Sequence, residues 1–348
     1  MGRKNKEYRK DLHQQAYDRL TQMLHAGEGT SKKEAVADGT DREKIFSYET
    51  YRSYYKHVKY FTKYVNEQHQ ECTTLKKARR YVNEWLQYRV DHGGQDGKPL
   101  SAWTITLERQ ALGKLYGITP DDPNYFVAPQ RHRADIVRSR GDAVRDAGFS
   151  EANNDELIKF CRGTGCRRNV LERLRGCDLT TRDEIRDEIG ALEGRSALSD
   201  TEYKHLEALK DAIEQFSDRE YFVHHCGDKG GRERYAPIIG EHTEQIVARF
   251  RATGPDQKVW QHVSTMADIH SYRADYATAL YKELARPLDQ IPYDRVNRGS
   301  GRRYQSEVYC CKKDEKGKRM DKRAMLKVSK ALGHNRLEVV ANNYLRGL

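Results

Sequence analysis

The chain has 348 residues, 37% of them hydrophobic and 33% charged, and its 63 Lys and Arg outnumber 52 Asp and Glu for a formal net charge of +11. That length accommodates two domains, and the basic excess suits a polyanion such as nucleic acid. No apolar run reaches the roughly 20 residues that a bilayer-spanning helix needs. The opening "MGRKNKEYRKDLHQQAYDRL" lacks the apolar stretch of a secretory signal, and Lys6 stands where a myristoylation signal needs Ser or Thr. A cytoplasmic, nucleoid-associated protein is expected, with no membrane partner. The seven cysteines show no CxxC spacing, which argues for reduced thiols. Adjacent Cys310 and Cys311 fit a strand better than a zinc site, because no second pair lies at ligand spacing.

Residues 1–45, with "RKNKEYRK" and "GEGTSKKEAVADGTDREK", read as an N-terminal basic arm or linker that is either a second DNA contact or a tail. Residues 46–120 carry three helical patterns. Tyr51, Tyr54, Val58, Phe61 and Val65 form one stripe behind a Ser47 cap; Leu75, Ala78, Val82, Trp85 and Leu86 form a second; Ile105, Leu112 and Leu115 form a third, stopped at Gly117 and Pro120. Residues 121–140 are Pro-rich, then basic at Arg131 and Arg133, and read as an interdomain linker. Residues 141–348 form the second domain. Two short helices meet at "GTG", "REYFVHHCGDKGGRERYAPII" reads as a hairpin, "ADIHSYRADYATALYKELA" as a helix, and "SEVYCCKKDEKGKRMD" as another hairpin. The fold class expected is mainly α with small β-hairpins (α+β).

Four segments in this second domain carry the chemistry-bearing residues: "TGCRRNVLERLRGCDL" with Arg167, "GDKGGRERYAPI" with Lys229, "HSYRADYA" with His270 and Arg273, and "LGHNRLEVVANNY" with His334 and Tyr344. Their order and content resemble the tyrosine recombinase (phage integrase) family, most of all the integrases of conjugative transposons and phages, over residues 47–348. The resemblance implies an N-terminal helical, SAM-like core-binding domain and a catalytic domain with those six residues in its active site. It also implies double-stranded DNA attachment sites as substrate, a homotetramer on two DNA sites, an accessory excision factor as a possible partner, and no metal or other cofactor.

The residue types suit that chemistry. Guanidinium groups of Arg167 and Arg273 would clamp the nonbridging oxygens of a phosphodiester as charge develops on them. Tyr344 would attack phosphorus, and His270 is the better candidate to take its proton. Lys229 would protonate the leaving 5′ oxygen. His270 and Arg273, one helical turn apart, share a face. Arg168, Arg232, Arg234, Arg131 and Arg133 are expected as DNA-backbone contacts. A type IB topoisomerase and a catalytically inactive DNA-binding protein remain the alternatives.

Three features depart from the family pattern. Ten residues separate His334 from Tyr344, where nine is commoner; the segments after "GCDL" and between Arg273 and His334 are extended; and only "LRGL" follows Tyr344, so tail exchange between protomers is not expected.

Overall fold

Leu12, Ala16, Leu20 and Met23 recur at helical spacing inside the segment expected to be an arm, and in the computed structural model they are buried. The structure describes residues 10–132, 149–225, 233–291, 307–311, 316–334, 336–345 and 348. It divides into two compact units, 1–131 and 132–348.

In the first unit α1 (Leu12–Gly27) starts at Asp11, whose carboxylate accepts from the Gln14 amide at 2.7 Å. It lies against α3 (Tyr48–Gln68), and the short α2 (Lys32–Ala37) lies between them in the chain. Arg19 Nε of α1 donates to the Leu115 carbonyl at 2.8 Å, and Lys114 Nζ donates to the Asp41 carbonyl at 2.6 Å. Residues 12–45 are therefore part of this helical core, which corrects the arm-or-linker reading for that span. Apolar burial decides the matter: Leu12, Ala16, Leu20 and Met23 of α1 share one buried cluster with Val58, Phe61 and Val65 of α3.

The remaining helices follow the sequence pattern. Thr74 caps α4 (Leu75–Ala78), a 3-10 turn at Arg79–Tyr81 leads into α5 (Val82–His92), and Ser101 caps α6 (Ala102–Tyr116). Ser47 caps α3 as expected, through the Thr50 amide at 3.2 Å. Between α3, α5 and α6 lies a buried ionic triad. Glu108 accepts from Arg89 Nη2 at 2.9 Å and sits 3.2 Å from His57 Nδ1.

The second unit is mainly helical, with small antiparallel sheets. Its centre is α12 (Ile269–Leu284), which buries Tyr272, Arg273, Tyr276, Leu280 and Tyr281 among its neighbours. Ahead of it come α7 (Asp155–Thr164), α8 (Arg168–Leu171), β1 (Leu179–Thr181), α9 (Arg182–Glu193), α10 (Asp200–Gln215), β2 (Tyr221–His225), β3 (Arg234–Pro237) and α11 (Thr243–Arg251). Strands β1, β2 and β3 form one antiparallel sheet, with Val223 opposite both Leu179 and Ala236. After α12, β4 (Val308–Cys310) pairs with β5 (Arg319–Asp321), and α13 (Lys322–Ala331) and α14 (Leu337–Asn343) follow. The extended segment after "GCDL" becomes α9 and α10, whose Ile185, Leu192, Leu206, Leu209 and Phe216 join the same apolar core as α12 and α13.

Candidate functional site

Helix α7 ends at Gly165, whose φ of +60° is a left-handed conformation that favours glycine. A Cβ there would stand 2.4 Å from Cδ1 of Tyr276, so α7 and α12 approach as closely as a glycine allows. The chain then turns, and Arg167 becomes the N-cap residue of α8 with its side chain half-buried. On α12 the Asp268 carboxylate accepts from the Ser271 amide at 3.1 Å, fixing a first turn that contains His270. Arg273 lies one turn on.

Arg273 is 1% exposed. Its guanidinium donates to the carbonyls of Gly165 and Leu332, joining the end of α7 to the end of α13. Its Nε is buried and has no hydrogen-bond partner among the described residues. Burial pulls its pKa down from the ordinary guanidinium range to about 10; attraction to Tyr344 opposes this, and repulsion from Arg234 and Arg167 adds to it. The group stays cationic at neutral pH and is short of negative charge.

Beyond α13, Gly333 adopts φ +66° and His334 is held at both backbone ends. Its amide donates to the Ser329 carbonyl at 2.7 Å, and Ser329 Oγ donates to the His334 carbonyl at 2.6 Å. Helix α14 then delivers Tyr344, which is 5% exposed and whose carbonyl accepts from Thr278 Oγ1 at 3.1 Å. The Tyr344 hydroxyl lies 3.1 Å from His334 Nε2, and Arg167 Nη2 lies 3.5 Å from the same nitrogen. The Tyr344 ring is 5.2 Å from the His270 ring and 5.5 Å from the Arg273 guanidinium carbon. Arg167, His270 and Arg273 line an open pocket of about 520 Å³.

Five of the six residues singled out in the sequence, Arg167, His270, Arg273, His334 and Tyr344, thus meet in one place. The sixth, Lys229, lies outside the described residues, as do Arg232 and Arg133. Two guanidinium groups beside an open pocket, which Glu172 and Asp268 also line, can hold a tetrahedral anion, and the phenol lies close by, 3.1 Å from an imidazole nitrogen that can accept its proton when unprotonated. Proton acceptance was expected of His270. The ring nitrogen within hydrogen-bonding distance of the phenol is that of His334.

Two expected DNA contacts are placed differently. Arg168 donates to the carbonyls of Ser264 at 2.9 Å and Ala267 at 2.8 Å, fixing the loop that leads into α12. Arg234 is 8% exposed, and its Nε donates to the Ala331 carbonyl at 3.0 Å. Both donate to main-chain carbonyls; those of Ser264 and Ala267 also accept the amides of Ala267 and Ile269, so Arg168 adds a second bond to a turn already closed. Arg131 is exposed, with its guanidinium carbon 5.9 Å from the centre of the Trp103 ring.

The sequence reading did not anticipate His225 and Ser329. His225 is 1% exposed, its Nδ1 lies 3.2 Å from Arg234 Nη2, and its Nε2 lies 3.9 Å from Cys166 Sγ, next in the chain to Arg167. The "HH" before the hairpin tip was the available signal, since one histidine of such a pair on a strand must face inward. Comparison with known protein families gave no match, and comparison with curated proteins gave no significant relative.

Proposed function

We propose that the chain is a site-specific tyrosine recombinase, the integrase of a mobile element, acting on duplex DNA without a metal ion. Tyr344 Oη attacks the scissile phosphorus, the bond from phosphorus to the 5′ oxygen breaks, and a 3′-phosphotyrosyl linkage forms. The phenolic proton passes to an imidazole, His334 being the nearer in the resting protein, and Lys229 returns a proton to the leaving oxygen. Arg167 and Arg273 carry the charge that develops on the nonbridging oxygens. The linkage keeps the bond energy, so the reverse step rejoins DNA without ATP.

The observation that supports this most is the phenol of Tyr344, held 3.1 Å from His334 beside a buried arginine whose other contacts are carbonyls. A tyrosine serving only as packing has no need of two arginines and two histidines gathered around it. The helical first unit would contribute to gripping duplex DNA, and four protomers on two sites would exchange strands.

The test uses nicked duplexes randomised in sequence, incubated in EDTA, with covalent protein–DNA adducts captured after denaturation. Wild-type protein is expected to give an adduct with a 3′ phosphate on Tyr344, and Tyr344→Phe none. An adduct that survives in Tyr344→Phe, or none with either protein, overturns the proposal. Plasmids carrying two copies of the captured sequence then separate recombination from relaxation alone, the outcome a type IB topoisomerase would give.

A further inference from the structure

Arg234 was expected on the surface, and its burial calls for another role. It sits in β3 opposite His225 of β2, and every residue of β3 is buried. Its Nε donates to the Ala331 carbonyl in the last turn of α13, three residues ahead of His334. Its guanidinium also fills the space beside Gly333. A Cβ on that glycine would stand 2.5 Å from Arg234 Nη1 and 3.0 Å from Cζ. The "GH" pair is thus explained: the position before His334 needs φ +66°, and it needs no side chain because the arginine already occupies the place. Nη2 meets the Nδ1 of His225, which accepts the bond and leaves Nε2 of that ring to donate towards Cys166. One side chain therefore touches the turn that presents His334 and, through His225, the strap that presents Arg167.

We propose that Arg234 is a positioning residue for the strand-cleavage reaction, setting the Ala331–His334 turn and with it the imidazole against which the Tyr344 hydroxyl rests. The inference depends on the recombinase reading above. Arg234 does not touch the substrate in this scheme. With 8% of its surface exposed, the side chain is unsuited to neutralising a DNA phosphate. Its planar fork matters as well as its charge, because Nε and Nη2 meet different neighbours while Nη1 fills the space over Gly333; an ammonium reaches one of these places at a time.

The experiment compares wild type, Arg234→Gln, Arg234→Lys and Gly333→Ala on the duplex recovered by adduct capture, under single-turnover conditions. Arg234→Gln is expected to slow adduct formation about 100-fold, the cost of a misplacement of roughly 1 Å at the reacting groups. Arg234→Lys should recover part of that loss, and Gly333→Ala should reproduce it, since its new methyl displaces the guanidinium. Duplex affinity and its salt dependence should stay at wild-type values, whereas loss of a phosphate contact lowers the slope of log K against log salt by about 1. In the free protein, the ring resonances of His334 should move in Arg234→Gln and Gly333→Ala, while those of His57 in the first unit stay in place. Wild-type cleavage rates in both variants, a salt slope reduced by about 1, or unmoved His334 resonances would each overturn the proposal. If Gln proves unfolded by thermal melt, the Lys and Ala variants decide it. Absence of an adduct with the wild-type protein counts against the recombinase reading instead, and the resonances then report on the placement alone.

Discussion

Arg273 places a cation in the interior of the second unit, with carbonyls of Gly165 and Leu332 as its hydrogen-bond partners. Carbonyls orient a guanidinium without neutralising it, so the charge remains available to a substrate phosphate. Replacing Arg273 by Lys keeps a positive charge but cannot span both carbonyls. Adduct formation is expected to fall by about 100-fold to 1000-fold, the usual effect of losing one preorganised donor, with duplex affinity little changed; single-turnover cleavage beside a binding titration checks this. The pairing of His270 with Arg273 was legible in the sequence because three residues make nearly one turn of a helix. The inward path of Arg234 was not. A strand buried on both faces loses the alternation that tells inside from outside, and the flanking Arg232 and Glu233 made the stretch look solvated.

Among the elements, α1 was the one least visible beforehand. Its apolar residues Leu12, Ala16, Leu20 and Met23 are a thin stripe among polar neighbours, and the "RKNKEYRK" ahead of them suggested a tail. The stripe is buried nonetheless because α3 offers a complementary face. Leu20→Ala should therefore cost about 2–5 kcal/mol, as removal of a buried leucine side chain does, measured by urea unfolding of the full chain; a surface arm would give almost nothing. The triad of His57, Arg89 and Glu108 ties together α3, α5 and α6. Glu108→Gln leaves Arg89 buried without its counter-charge and should destabilise the first unit by about 3–5 kcal/mol. The caps were readable from sequence at Ser47 and Gly117, since short hydroxyl side chains and glycine mark helix ends for local reasons. The long insertion was readable as helical, but its docking on β3 was not, because tertiary partners leave no periodic trace of their own. There His205 bridges Glu188 of α9 and Glu233 just ahead of β3, at 2.8 and 2.7 Å.

Across the whole molecule, stability should fall in acid for an identifiable reason. Burial alone would raise the Glu108 carboxyl, but bonds from His57 and Arg89 hold it below its ordinary 4.5. Burial would likewise raise Asp321, but bonds from Arg286 and from the backbone amides of Arg286 and Arg323 outweigh it and hold the carboxyl below its ordinary 3.8. A carboxyl depressed in the folded state contributes stability that is complete above its unfolded value and disappears as pH falls through its folded one. Melting temperature should therefore hold steady down to pH about 5 and drop below pH about 4. Asp321→Asn and Glu108→Gln should each flatten that acid slope in thermal melts. The buried guanidinium of Arg273 has the opposite appetite. Arg273 lacks a carboxylate partner among the described residues, and Arg167 and Arg234 repel it. Sulfate or phosphate in an ordinary buffer should lodge there, toughening the empty protein against heat while competing with DNA. A hundredfold excess over its dissociation constant would add about 2.7 kcal/mol. The solution that best preserves this molecule in storage is then the one in which it works worst, and chloride at equal ionic strength makes the comparison.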